Sequence, residues 1–123
     1  MVKCHRDLLV WQKAMDLVVE IYRLIRSLPK EENYALADQM RRAVVSIPSN
    51  IAEGKGRTSL KDYLRFLAIA NGSCAELDTQ IELAIRLRYF SEEQAANSKG
   101  LLTEVGKMLT VMQVRLNNPK SES

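Results

Sequence analysis

The chain has 123 residues, 46% of them hydrophobic and 27% charged, with 18 Lys and Arg against 15 Asp and Glu for a net charge of +3. That is one small domain with enough material for one core. Its longest apolar runs, Leu8–Trp11, Ala43–Val45 and Phe66–Ala70, fall far short of the roughly 20 residues that cross a bilayer, which excludes a membrane span. The amino terminus passes from Lys3 through Asp7 straight into a helical pattern without a small-residue cleavage site, so the expected location is cytoplasmic, with no membrane partner. Cys4 and Cys74 lie far apart and match no metal or redox spacing, the usage of reduced thiols. The single histidine, His5, sits in a segment expected to be mobile. It excludes a multi-histidine metal site and leaves only a strained case for a Ser/His/Asp triad. Composition favours a binding or scaffolding protein over an enzyme, and no catalytic residue, metal or cofactor is assigned.

In chain order, apolar residues recurring at three and four predict helices throughout. The first runs from about Leu8 to Ser27, with Asp7 as its N-cap and Pro29 just past its end. Its main stripe is Trp11, Met15, Val18, Tyr22, Ile25, read as core. A second stripe, Leu17, Ile21, Leu24, Leu28, widens the apolar arc beyond what one partner helix needs, as in a bundle or at a subunit contact. The second helix, about Glu31 to Glu53, should bury Leu36, Met40, Val44, Ile47 and Ile51. Pro48 lacks an amide hydrogen and collides with the Val44 carbonyl, so a kink is expected near Ser46–Ser49. Gly54 and Gly56 should stop this helix, leaving Lys55–Thr58 as a short basic loop.

Ser59 and Asp62 cap a third helix that reaches about Arg88 on the ladder Leu60, Leu64, Leu67, Cys74, Leu77, Ile81, Ile85. A helix that tolerates Gly72 within a run of small residues is expected to gain a close helix contact there. Ser91-Glu92-Glu93-Gln94 is a second capping box. It opens a fourth helix, 92–116, carrying Ala95, Leu102, Val105, Leu109, Met112 and Leu116 with a gap at Ser98. Residues 117–123 should form a disordered tail. Short loops force sequential helices to be antiparallel neighbours, so residues 1–123 are read as a single all-α domain, an up-down-up-down four-helix bundle.

Charge is concentrated within this frame. Between Arg41 and Arg65 stand six cations, Arg41, Arg42, Lys55, Arg57, Lys61 and Arg65, against Glu53 and Asp62, a window of +4 that leaves −1 for the rest of the chain. Antiparallel pairing of the second and third helices is expected to bring this window to one end of the bundle. There it is either an ordinary solvated surface or a surface for phosphates. Tyr63 and Phe66 are the aromatics nearby for base stacking. Asn50 must be hydrogen-bonded if buried, with the Val44 carbonyl as one partner, and Glu53 is placed to pair with Arg57 or with another chain. Asn71 has a similar status. The carboxylates Glu31, Glu32, Glu76, Asp78 and Glu82 come with no Glu-x-x-His motif, so no metal site is assigned.

The blocks Leu9–Ala14, Gln39–Ala43, Ser46-Ile47-Pro48-Ser49-Asn50-Ile51-Ala52-Glu53-Gly54, Phe66–Ser73 and Glu76 resemble the four helix bundle protein family, whose members are also called 23S ribosomal RNA intervening-sequence proteins and are sometimes labelled ribosomal proteins. The resemblance runs from about His5 to Leu116. It implies a four-helix bundle assembled as a ring-like homopentamer, in a family named for reading frames inside insertions in bacterial 23S rRNA genes. A similar bundle and pentamer occur in accessory proteins of diversity-generating retroelements, which bind nucleic acid and work with a reverse transcriptase. The family signature falls on Arg41, Arg42, Asn50, Glu53, Gly54, Arg57, Gly72, Ser73 and Glu76, with no catalytic role attached. One departure is Arg88, where glycine is common. The function implied is non-enzymatic, nonspecific binding of RNA or DNA by a basic surface, with a scaffold that recruits a partner enzyme such as a reverse transcriptase as the alternative.

Overall fold

The computed structural model describes residues 4–118, which form four long helices and no strand. They are α1 (Leu9–Leu24), α2 (Leu36–Lys55), α3 (Leu60–Arg86) and α4 (Glu92–Asn117). Each helix packs on the next, and α1 also packs on α4. Contacts between α2 and α3 run in opposite senses along the chain: Gly54 lies against Tyr63 and Phe66, while Ser46 meets Ser73. Asn71 of α3 donates to Thr110 and Gln113 of α4, and Lys13 of α1 pairs with Glu104 of α4 at 2.6 Å. Most of the expected tail lies outside the described residues, and Asn117 closes α4.

The expected core of α2 is buried in full, and Leu67, Cys74, Leu77 and Ile81 of α3 join it. Leu60 at the start of α3 is 48% exposed because it precedes the point where the helix meets its neighbours. In α4, Ala95, Leu102, Val105 and Leu109 are buried, and the gap at Ser98 is itself a buried residue. Helix α1 differs from expectation. Its buried line is Val10, Ala14, Leu17, Ile21, Leu24, whereas Met15 and Tyr22 of the stripe read as core are 42% and 40% exposed. The apolar arc of α1 is wider than the groove between α2 and α4, and the slimmer line fits that groove, leaving the bulkier side chains on the flank.

The helix ends differ from the expected ones through local contacts. Asp7 does not cap α1; it lies in a 3-10 turn, His5–Asp7, and Leu8 is the N-cap without a side-chain bond. That turn also orders His5, whose ring meets Trp11 edge-on at 5.1 Å. Helix α2 begins at Leu36, not near Glu31, because Lys30–Glu32 form a 3-10 turn after Pro29. The Glu32 carboxylate then accepts the free Leu36 N–H at 3.2 Å and the Tyr89 hydroxyl at 2.7 Å, fixing the connector to the far end of α3. Ser59 accepts the Asp62 N–H, and Ser91 with Gln94 makes the full reciprocal box.

Helix α2 runs through Pro48 as far as Lys55, so Gly54 lies inside it and the loop begins at Gly56. Gly54 serves close approach instead: a Cβ there would stand 2.9 Å from Phe66 Cβ. Gly72 is the reverse of what its small neighbours imply, being exposed with nothing within 4 Å of a built Cβ.

Arg88 explains its departure from glycine. It has φ 64, and the bonds Tyr89 N–H to Ala84 and Arg88 N–H to Ile85 close α3 as a Schellman turn. A residue with a Cβ pays about 1–2 kcal/mol in that left-handed region. Arg88→Gly is expected to raise stability by about 1 kcal/mol net of the extra chain entropy that glycine loses, read as a higher urea midpoint at unchanged slope.

Candidate nucleic-acid interface

The six cations form two groups. Arg41 and Arg42 stand near the start of α2, about 20 Å along the helix axis from Lys55 at 1.5 Å per residue, so the basic window does not gather at one end. Periodicity places residues around a helix, but fourteen residues of one helix span most of the bundle's length, and only Lys55, Arg57, Lys61 and Arg65 share the α2–α3 turn.

At that turn three of the four cations are set by local contacts. Arg57 Nη2 donates to Glu53 at 3.1 Å, the expected pair one helical turn apart, and Arg65 lies 4.0 Å from Asp62. The Phe66 ring carries two guanidinium groups, Arg57 at 4.9 Å and Arg65 at 4.6 Å from its centroid. Lys55 lies 5.9 Å over Tyr63, whose phenol is pushed above its ordinary value by burial. The aromatics expected to stack on bases thus hold the cations in place. Lys61 is exposed and makes no ion pair among the described residues. Both ion pairs at the turn are exposed, worth about 0.2–1 kcal/mol each, so a phosphate competes with them at little cost.

Behind the turn, a polar link joins α2 to α3. Asn50 Nδ2 donates to the Ser46 carbonyl at 2.8 Å and the Ser46 hydroxyl at 2.9 Å, and Ser46 Oγ lies 2.9 Å from Ser73 Oγ. The Val44 carbonyl is not the partner. An asparagine on a helix reaches back one turn, to Ser46, and Val44 is six residues away. Asn50, Gly54 and Ser73 therefore set the spacing of the two helices that carry the basic turn. Glu76 is exposed on α3 and forms no ion pair among the described residues.

Two cations escape a reading by sequence windows. Arg115 in the last turn of α4 lies toward the same end, since α4 passes α3 with Gln113 beside Asn71, and Arg6 stacks on the Trp11 ring of α1 at 5.6 Å. No group of three or more His, Cys, Asp or Glu is placed to hold a metal among the described residues. Both cysteines are free thiols, and burial pushes the Cys74 thiol up to about 11, so it stays protonated. Among the described residues no helix is long and apolar enough to cross a membrane.

Comparison with known proteins places this geometry. A solved structure from Bacteroides thetaiotaomicron, described as a protein with unknown function from the S23 ribosomal protein family, superposes with a TM-score of 0.79 at 28% identity, covering 85% of this chain and 98% of that one. No curated protein matches. The family model for the 23S rRNA-intervening sequence protein matches residues 6–111, from the His5–Asp7 turn through most of α4. The chain belongs to the 23S rRNA-intervening sequence protein family.

Proposed function

We propose that this chain is a non-enzymatic nucleic-acid-binding protein, an antiparallel up-down-up-down bundle in a ring-like homopentamer whose α2–α3 turn holds phosphates without sequence preference. One observation carries the reading. Lys55, Arg57, Lys61 and Arg65 converge on a single turn and outnumber the two carboxylates there, each of which is already engaged with an arginine. Opposed contact senses between α2 and α3 support the antiparallel order. Repetition around a ring supports useful affinity, because several weak patches on one body raise effective concentration at each further contact. The family's association with 23S rRNA insertions makes RNA the first probe.

A labelled single-stranded RNA is expected to bind with log K falling against log salt at a slope of about −3 per engaged subunit, from four cations at about 0.7 each. Lys61→Ala with Arg65→Ala should flatten that slope by about half. Absence of binding at low salt, or a slope untouched by the double substitution, overturns the reading. A second reading, a scaffold that recruits a partner enzyme such as a reverse transcriptase, draws on the exposed apolar side chains Ile69, Leu83, Leu87, Val111 and Val114. Retention of a defined protein partner after nuclease treatment favours it.

A further inference from the structure

The connector between α1 and α2 holds a feature that the basic turn does not use. After Leu24 the chain makes a 3-10 turn, runs extended through Leu28 and Pro29, and turns again at Lys30–Glu32 before α2 begins. This detour leaves an open cup of about 380 Å³ at the end of the bundle opposite the α2–α3 turn. Ile25, Leu28, Pro29 and Ala37 supply apolar lining, and Tyr22 supplies an aromatic ring that is 40% exposed. Three cations also line it, Arg26, Lys30 and Arg41, and among the described residues no carboxylate does.

The state of those cations is informative. Arg41 Nη2 is anchored on the Asn33 carbonyl at 2.9 Å and on Asn33 Oδ1 at 3.1 Å, which fixes the guanidinium plane. Its remaining N–H donors have no partner among the described residues. The Arg26 and Lys30 side chains make no hydrogen bond or ion pair among the described residues. Of the acids in the connector, Glu32 accepts from Leu36 and Tyr89, and neither it nor Glu31 lines the cup.

We propose that this cup binds a nucleoside monophosphate group. The three cations match a phosphate monoester, which carries close to two negative charges at neutral pH, better than a singly charged diester linkage. With Nη2 held by Asn33, the Arg41 Nε–H and Nη1–H groups remain to donate to phosphate oxygens. The Tyr22 face and the apolar lining suit a base. The volume lies at the lower end of small-ligand sites, about 300–1,000 Å³, and matches one nucleotide, not an oligonucleotide. Free nucleotides and the phosphorylated end of an RNA strand share this chemistry. The strand-end source rests on the nucleic-acid reading above; the free-nucleotide source does not.

The test titrates the full chain with AMP, adenosine and inorganic phosphate, following the Tyr22 ring and Arg41 side-chain signals by NMR. AMP is expected to shift both sets, with adenosine and inorganic phosphate each at least about tenfold weaker. Arg26→Ala with Lys30→Ala should weaken AMP at least about tenfold while leaving the salt slope for a 5′-hydroxyl RNA at the α2–α3 turn within error. A 5′-phosphorylated oligoribonucleotide that outcompetes its 5′-hydroxyl counterpart assigns the strand end; equal competition, with AMP bound, assigns the free nucleotide. Signals unmoved at millimolar AMP, or unchanged AMP affinity in the double variant, overturn the proposal. RNA bound at the turn with no AMP in the cup overturns only this inference, whereas AMP in the cup without RNA binding overturns only the reading of the turn.

Discussion

Gly54→Ala is expected to lower stability by about 1–2 kcal/mol, and Gly54→Val by more, even though alanine is the better helix former. The new Cβ would lie 2.9 Å from Phe66 Cβ, 3.0 Å from Tyr63 Cδ1 and 3.3 Å from the Tyr63 carbonyl oxygen. Phe66 Cβ and the Tyr63 carbonyl are fixed to the α3 backbone, so relief requires α2 and α3 to separate along their contact. Overpacking of this kind costs about 1–3 kcal/mol or somewhat more, against about 1 kcal/mol regained in helix propensity. Gly72→Ala is the control, with a gain of up to about 1 kcal/mol because nothing lies within 4 Å of its Cβ. Opposite signs at two helical glycines, measured as urea midpoints at constant slope, check the α2–α3 approach directly. A stabilising Gly54→Ala would falsify it. The same substitution displaces Phe66, which carries Arg57 and Arg65, so RNA affinity should fall with stability.

Element type was legible in the sequence because long 3.6-period stretches have few competing solutions. The full core of α2 and the Ser91 box follow from spacing alone. What spacing left open was rotation and ends. An apolar arc on α1 with two adjacent stripes does not say which one a neighbour will cover, and the neighbour chose Val10, Ala14, Leu17, Ile21 and Leu24. The start of α2 depended on a carboxylate from a preceding turn, Glu32, bonded both to Leu36 and to Tyr89 of a distant segment. Local capping rules contain no such partner. Gly54 and Gly72 show the same limit. Both sit inside helices, but the contact between backbones decides which one needs its missing Cβ, and that contact is tertiary.

The candidate site was legible in composition and misplaced in space. Charge counted along the chain joined Arg41 to Lys55, yet a continuous α2 separates them and gives Arg41 to the cup with Arg26 and Lys30. The pair Glu53 and Arg57 was legible because i, i+4 spacing is local. The position of Arg115 was not, because it comes toward that end only through the order in which the helices pack.

The two faces of α3 should respond to truncation and charge in different ways, and the difference tests assembly. Leu77 and Leu83 are six residues apart, about 240° around the helix, and one is fully buried while the other is 47% exposed. Leu77→Ala is expected to cost about 2–5 kcal/mol, since it removes buried methyl groups and leaves a cavity against α2 and α4. Leu83→Glu should leave the subunit's own stability within about 0.5 kcal/mol, because its side chain touches little of the core. In the proposed ring, exposed apolar side chains on α3 and α4 meet neighbouring copies. A glutamate buried at that contact without a cationic partner would cost several kcal/mol per subunit pair. Light scattering at micromolar concentration should then show a ring for the parent chain and a smaller species for Leu83→Glu, with helical content kept in each. A parent chain that scatters as a monomer rejects the ring. A Leu83→Glu protein that keeps the parent mass moves the contact off this face of α3, and the basic turns must then be multiplied by some other surface for weak phosphate contacts to add into useful affinity.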